Sequence, residues 1–169
     1  MTPVDVVVTF LEMTDPAQLR PASSVVPGVT LRLEHPPAAV GLAAQLYRLV
    51  GSGYHWTDRL VWGDSEWRAA IDRPDVELWT ARQGDTIAGY FELERRSDAA
   101  EIRYFGLTPG FVGRGIGGWL LTEAVRRAWQ LDVRRVTVNT CTLDSAAALP
   151  NYRSRGFTVV REDHQRREL

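Results

Sequence analysis

Four glycines fall within six residues, at positions 113, 115, 117 and 118, and no other part of the chain restricts the fold as strongly. This glycine turn, residues 113–118, leads into an amphipathic run with Leu120, Leu121, Ala124, Val125, Ala128 and Leu131 on one helical stripe. Glycine permits a tight helix entry, and the first N–H groups of a helix lack partners within it. The turn therefore predicts a phosphate-binding helix N-terminus, where Arg114 adds a positive charge. A tight helix entry without any ligand is the alternative.

The glycine turn matches neither common nucleotide-binding pattern. A Walker A loop requires a Gly-Lys-Ser/Thr ending, and all 20 basic residues of this chain are arginine. Gly113, Gly115 and Gly118 have the spacing of a dinucleotide fingerprint. However, the strand before them is predicted to be antiparallel, and the next strand, at 136–142, ends in no ribose-binding acid. The turn is therefore predicted to hold a phosphate in another way.

Hydrophobic periodicity predicts a mixed α/β fold with a mostly antiparallel sheet and helices on its faces. Strands are predicted at residues 6–13, 29–34, 76–82, 86–95, 101–108, 136–142 and 157–160. Helices are predicted over residues 38–50, after Asp64-Ser65, after the glycine turn and over residues 144–155. We expect one domain over residues 1–169, with its core at 29–160 and a flexible tail at 161–169.

Composition limits the function classes. The 20 arginines nearly cancel 21 acids to a net charge of −1, which argues against DNA binding. A single cysteine, Cys141, excludes an internal disulfide framework and a cysteine-rich zinc site, and it is expected to be a buried apolar residue. No apolar run approaches the ~20 residues of a membrane helix. We expect a cytoplasmic protein with no metal and no membrane partner.

Two motifs resemble those of the GCN5-related N-acetyltransferase (GNAT) family. The segment Phe105–Gly117 is similar to the family's acetyl-CoA motif, Gln/Arg-x-x-Gly-x-Gly/Ala: Gly115 and Gly117 match, and Val112 stands where Gln or Arg is usual. The segment Tyr152–Phe157 resembles the family's Tyr-x-x-x-Gly-Phe. The resemblance covers roughly residues 76–160. It implies the family's α/β sheet with splayed central strands, and acetyl-CoA as co-substrate.

The resemblance also implies a set of residues that bind acetyl-CoA. The pyrophosphate would contact Val112, Gly113, Arg114, Gly115, Ile116, Gly117 and Gly118, mainly through backbone N–H groups. The main chain of Phe105 and Leu107 would pair with the pantetheine arm, and one of them would donate an N–H to the thioester oxygen. Asp144 stands where many relatives carry a pantetheine-binding asparagine. It is equally suited to cap the next helix, and the two roles are compatible.

Candidate catalytic residues follow from the same resemblance. Tyr152 corresponds to the tyrosine that protonates the leaving thiolate. The alternative is that this tyrosine only packs the last helix against the sheet. Glu101 lies fourteen residues before Gly115, the spacing at which the histone-acetyltransferase branch places its glutamate base. Glu92 and Glu94 share a face of the neighbouring strand and are reserve candidates. Ordered water is the alternative that requires no single base.

The segment Gly53–Trp62 is rich in aromatic residues, and the family places its acceptor-binding loop between the first two helices. Tyr54, His55, Trp56 and Asp58, together with Glu92, are therefore expected to bind a cationic amine, with a packed loop as the alternative.

We predict direct acetyl transfer from acetyl-CoA to a primary amine of a small molecule, in a ternary complex. The alternatives are a longer acyl-CoA or aminoacyl-tRNA donor, or a non-catalytic acyl-CoA-binding module. An exposed strand edge could pair two chains, so the sequence is also compatible with a homodimer.

Overall fold

One sheet carries most of the structure. The computed structural model describes residues 1–24 and 26–169. This part of the chain contains the strands β1 (Pro3–Met13), β2 (Val29–Glu34), β3 (Val76–Gln83), β4 (Thr86–Arg96), β5 (Ala99–Leu107), β6 (Arg135–Cys141) and β7 (Thr158–Glu168). Its α-helices are α1 (Ala38–Gly51), α2 (Asp64–Ile71), α3 (Ile116–Trp129) and α4 (Ala148–Ser154). The strands form a seven-stranded sheet in the order β2-β3-β4-β5-β6-β1-β7.

The pairing confirms the predicted mixed α/β fold with a mostly antiparallel sheet. β3, β4 and β5 form an antiparallel meander, and β2 extends it at one edge. β1 lies between β6 and β7 and is antiparallel to both. Among the strands of residues 1–24 and 26–169, only β5 and β6 run parallel, because α3 connects them as a crossover.

Each face of the sheet is covered by a separate pair of helices. α3 buries Leu120, Leu121, Ala124 and Val125 at helical spacing, in one core with Phe91 of β4. On the other face, α1 and α2 bury a second core that includes Tyr47, Trp67 and Leu78. Burial of each large apolar side chain contributes about 1.5–3 kcal/mol, so both helix layers are held mainly by their apolar stripes.

β5 and β6 separate soon after they begin. Their parallel pairing covers only Ala99–Glu101 against Arg135–Thr137. β5 also bulges: Tyr90 pairs with Gly106 and Glu92 with Arg103, which leaves two residues, Tyr104 and Phe105, opposite one. Tyr104 has a positive φ of 50°, a strained conformation for an aromatic residue. The two strands are splayed beyond Glu101, and at the bulge Tyr104 packs against the core of α1 and α2 while Phe105 packs against that of α3.

Three sequence predictions, on the C-terminal tail, the extent of the core and the start of α4, are wrong. Residues 161–168 are not a flexible tail, because β7 continues to Glu168 in a ladder with β1. β7 is an edge strand with mostly exposed side chains, so it lacks the apolar alternation that marks a strand. The core also extends beyond residues 29–160, since Leu11 and Met13 of β1 are buried. Finally, α4 begins at Ala148, four residues later than predicted.

Candidate active site

The separation of β5 and β6 opens a cleft of about 750 Å³. The cleft is lined by β5, the glycine turn, the end of β6, α4 and the loop between α1 and α2. It brings together most predicted site residues: Tyr54, His55, Trp56, Asp58, Glu101, Phe105, Leu107, Val112, Gly113, Gly115, Gly117, Gly118, Asp144 and Tyr152. Arg114, Ile116 and Glu92 do not line it. Elements far apart in the sequence therefore converge on one cavity.

The glycine turn takes the shape that its composition predicts. Gly113 and Gly115 have φ values of 81° and 79°, in the left-handed region that favours glycine. Gly115 caps α3 without a side-chain hydrogen bond, so the first N–H groups of the helix remain available to an anion. Ile116 is buried in the core, so only its main chain can contact a ligand. Arg114 is exposed, with its guanidinium carbon 5.1 Å from the centre of the Phe111 ring.

Tyr152 lies on α4 with its ring between two phenylalanines. It packs edge-on against Phe105 and Phe157, with ring centres 6.3 and 6.0 Å away. Burial, and secondly the negative charge of Asp144, raise the pKa of its hydroxyl well above the ordinary value. Next to it, the Asn151 side-chain amide donates to the Gly117 carbonyl at 3.1 Å, which ties α4 to the glycine turn. Tyr152 is therefore a protonated phenol held at the wall of the cleft.

The surroundings of Gly156 explain why the second motif has a glycine at this position. Its φ is 106°, and a Cβ there would lie 2.0 Å from the main-chain oxygen of Gln18. The loop that follows β1 passes over this point, and the Arg20 N–H donates to the Arg155 carbonyl at 2.8 Å. Only glycine permits this contact, which ties the end of α4 to the loop after β1.

Asp144 joins two walls of the cleft. Its Oδ2 accepts hydrogen bonds from Thr140 Oγ1 at 2.7 Å and from the Cys141 N–H at 2.8 Å. Its Oδ1 accepts one from Trp56 Nε1 at 3.3 Å. The predicted capping role is wrong, because α4 begins at Ala148 and its N-cap, Ala147, has no side-chain cap. Asp144 instead closes the end of β6 and holds Trp56 across the cleft. Cys141, predicted to be buried, is a free and only partly buried thiol in the cleft lining.

Glu101 stands where the splay begins. It is the last residue of β5 that pairs with β6, its side chain is partly exposed, and it lines the cleft. Its carboxylate is 4.0 Å from the Arg96 guanidinium. Glu101 can therefore reach a molecule in the cleft, and its role as base stays a prediction.

Glu92 and Glu94 are buried in ion pairs beneath the cleft. Glu92 is 0% exposed and lies 2.7 Å from Arg59 Nη1 and 3.1 Å from Arg103 Nη2. Glu94 pairs with Arg103 and with Arg96 at 2.9 Å. Burial alone would raise the pKa of Glu94, but the hydrogen bond from Arg96 and the charge of Arg103 lower it. The prediction that Glu92 contacts the substrate is wrong, because its side chain is buried in ion pairs and supports the floor of the cleft.

Sequence reasoning missed Arg59, which anchors the loop between α1 and α2. Its side chain is 3% exposed, and its guanidinium carbon lies 3.9 Å from the centre of the Tyr104 ring and 4.7 Å from that of Trp62. With Glu92 it forms a buried ion pair between this loop and β4. An arginine amid aromatic residues was the available signal, but its partner is 33 residues away.

Asp58 is held between two tyrosines. Tyr47 donates its hydroxyl to Oδ1 and Tyr104 donates its hydroxyl to Oδ2, both at 2.6 Å. Burial alone would raise the pKa of Asp58, but the hydrogen bonds from Tyr104 and Tyr47 lower it below its ordinary value. The rings of Tyr47, Trp56 and Tyr104 lie with their centres 5.3–5.7 Å apart. The loop therefore presents a fixed, charged carboxylate to the cleft.

Two classes of feature are absent from the described residues. Within residues 1–24 and 26–169, no three His, Cys, Asp or Glu side chains are grouped so as to hold a metal ion. Over the same ranges, none of the helices has the length and apolar character that crossing a membrane requires.

Comparisons with known proteins agree on one family. The model of the acetyltransferase (GNAT) family matches residues 43–157, more than half of the chain. The chain is 36% identical over 107 residues to the N-alpha-acetyltransferase RimI of Mycobacterium tuberculosis, a match that covers 58% of this chain and 65% of that protein.

Solved structures share the fold. A GCN5-related N-acetyltransferase from Sphaerobacter thermophilus superposes with a TM-score of 0.74 at 20% identity, over 98% of this chain and 52% of that one. The ribosomal-protein-S18-alanine N-acetyltransferase of Escherichia coli superposes with a TM-score of 0.61 at 17% identity, over 77% of each chain. The chain thus spans less than two thirds of the length of the curated relative and of the first of these structures.

Proposed function

The chain belongs to the acetyltransferase (GNAT) family, and on this premise we propose that it transfers an acetyl group from acetyl-CoA directly to a primary amine of a small molecule. One observation carries the proposal: the splayed strands, the free N-terminus of α3 and Tyr152 all line the same cleft. We call the wall formed by the glycine turn and α4 the cofactor side. The loop between α1 and α2 and its floor on β4 and β5 form the acceptor side.

The cofactor side suits acetyl-CoA, which would supply an activated acetyl thioester. The N–H groups at the start of α3 and the helix dipole would hold the pyrophosphate, with Arg114 as an added charge. From Ile102 onward β5 has no strand partner on its β6 side, so this edge can hydrogen-bond an extended pantetheine chain. Phe105 and Leu107 lie on this stretch and line the cleft.

Two side chains suit the proton transfers of the reaction. As the amine nitrogen bonds to the acyl carbon, the carbon–sulfur bond breaks and the leaving sulfur needs a proton. Tyr152, kept protonated by its raised pKa, would donate it. The amine must also lose a proton, and Glu101 or ordered water would accept it. We further propose the cytoplasm as the compartment, on the single free cysteine.

A second acceptor class, the N-terminal amine of a polypeptide, is favoured by two observations. The Mycobacterium tuberculosis relative is an N-alpha-acetyltransferase. In addition, a second cavity of about 420 Å³ adjoins the cleft, since Glu101 and Asn139 line both. It extends along β6, β1 and β7 past Thr137, Phe10 and Arg161, and would receive an extended chain.

Release of the CoA thiol from acetyl-CoA, measured as a function of the added amine, tests the proposal. The purified protein would be incubated with acetyl-CoA and either small primary amines or short peptides, with N-terminally blocked peptides as the control. We expect turnover with small amines, and turnover confined to free peptide N-termini would select the second class. Calorimetry with acetyl-CoA separates the remaining cases. Binding without turnover of any amine would indicate a non-catalytic module, and the absence of binding to any acyl-CoA would reject the proposal.

A further inference from the structure

The carboxylate of Asp58 has unused capacity toward the cleft. A carboxylate offers about four lone-pair sites, and the hydroxyls of Tyr47 and Tyr104 occupy two of them. Asp58 lines the cleft and forms no salt bridge with any residue in the described part of the chain. The adjacent cation, Arg59, is buried on Glu92 at 2.7 Å and turns away from the cleft lining. Asp58 thus faces the cavity without a salt-bridge partner among the described residues, although the charge of Arg59 acts on it from the floor of the cleft.

The surroundings of Asp58 suit a cation. Tyr54, Trp56 and Tyr104 line the same cleft, and aromatic faces attract positive charge. The two tyrosine hydroxyls and the packing of Tyr104 on Arg59 restrict the carboxylate and its walls before any ligand arrives. A preformed site loses less side-chain freedom when it binds. Asp58 and the aromatic residues around it therefore form a preorganised site for a positive charge.

The bound charge is not well suited to be the reacting nitrogen. An amine attacks a thioester only after it loses its proton, whereas an ion pair with a carboxylate stabilises the protonated form and raises the pKa of the amine. Glu101, on a different element, lies where the strands separate and is the proposed base. Three carboxylates line the cleft, those of Asp58, Glu101 and Asp144. Asp144 already accepts three hydrogen bonds from the protein, and Glu101 is the candidate for deprotonation. Asp58 is therefore left to bind a second charge.

We infer that Asp58 binds a positively charged group of the acceptor other than the nitrogen that is acetylated. The substrate class is then a primary amine that carries a second cation, such as a diamine, a polyamine or an amine with a quaternary ammonium group. This inference rests on the proposed acetyl transfer and specifies its acceptor.

A matched series of acceptors tests the inference. Straight-chain monoamines would be compared with diamines of the same length and with amines whose far end is a trimethylammonium group, which cannot be acetylated. For the wild type we expect kcat/KM to be about tenfold higher for the dicationic acceptors of best length than for the matched monoamines. In Asp58→Asn, which keeps the oxygen that accepts from a tyrosine, this ratio should fall to about one.

Two comparisons separate charge recognition from a structural effect. Asp58→Glu keeps the charge and should restore part of the preference, whereas a merely structural role predicts that both variants lose turnover with every acceptor alike. Asp85→Asn removes an exposed acid in the turn between β3 and β4, outside the cleft, and should leave the ratio unchanged. The inference is overturned if the wild type has no preference for dications, or if Asp58→Asn lowers both acceptor types equally.

A binding measurement distinguishes failure of this inference from failure of the proposed function. Calorimetry with an alkyl trimethylammonium probe needs no catalysis. If no amine is acetylated but the probe binds the wild type and not Asp58→Asn, the cation site stands and the proposed function fails. If amines are acetylated but the probe binds both proteins equally, the proposed function stands and this inference is rejected.

Discussion

The two sides of the cleft are held together by different forces. The cofactor side rests on main-chain geometry, with left-handed glycines at 113 and 115, and on apolar packing around Tyr152. The acceptor side rests on buried charges and hydroxyls, in which Arg59, Glu92 and Asp58 are held by specific partners. Apolar packing tolerates many sequences and a left-handed turn needs only glycine, whereas a buried ion pair fails when one partner is lost. The cofactor side therefore depends mainly on the course of the main chain, while the acceptor side depends on individual polar pairs.

Removal of Arg59 should produce the largest effect. Arg59→Met leaves Glu92 buried without its closest counter-ion, and loss of one partner of a buried pair costs about 3–5 kcal/mol of unfolding free energy. Urea unfolding measures it, with Arg68→Met on the exposed face of α2 as the control. Arg59→Met/Glu92→Leu should recover much of the loss, because no unpaired charge then remains. An Arg59→Met protein as stable as Arg68→Met would show that the pair does not hold the acceptor side.

On the cofactor side, the corresponding destabilising variant is Gly156→Ala. The Cβ would collide with the Gln18 main chain at a positive φ, so we expect a loss of about 3 kcal/mol in unfolding free energy. Gly110→Ala is the matched control, since nothing lies within 4 Å of its Cβ position and its φ is not in the left-handed region. Equal stability of the two variants would contradict the role assigned to the contact between α4 and the loop after β1.

Tyr152→Phe tests catalysis without breaking either side. If Tyr152 donates the proton, kcat should fall by about 10²-fold while the Kd of acetyl-CoA is unchanged. Tyr90→Phe is the control, because Tyr90 is fully buried outside the cleft and its hydroxyl has no partner in residues 1–24 or 26–169. An unchanged kcat in Tyr152→Phe would remove this residue from the mechanism.

The pH profile offers a second measurement on Tyr152. Since its pKa is raised above the ordinary value of about 10, the hydroxyl stays protonated as the pH rises to that value. Turnover of the wild type should therefore show no loss from Tyr152 between neutral pH and about 10. An alkaline fall within that range that disappears in Tyr152→Phe would contradict the direction of the shift.

The same contrast decides what could be predicted from the sequence. The glycine turn and the stripe of α3 are local patterns, and both were placed correctly, as were the meander strands. The Arg59–Glu92 pair joins residues 33 apart, and no local pattern marks it. The strand over residues 161–168 was missed because an edge strand with polar side chains on both faces has no period. Main-chain geometry leaves a signature in sequence, whereas pairing between distant polar side chains does not.

The smallest expected effect concerns the charge of Asp58 and its contribution to stability. The folded state lowers the pKa of Asp58 through the tyrosine hydrogen bonds, so its stabilising contribution is present above the unfolded pKa of about 3.9 and is lost as pH falls through the lower folded value. Asp58→Asn lacks this dependence. The difference in unfolding free energy between wild type and Asp58→Asn, measured with urea from pH 7 down to about 2.5, should therefore shrink below pH 4. A difference that is constant across this range would mean that the two tyrosines hold the acceptor loop by packing alone, and would make the acceptor side more like the cofactor side than the ion pairs suggest.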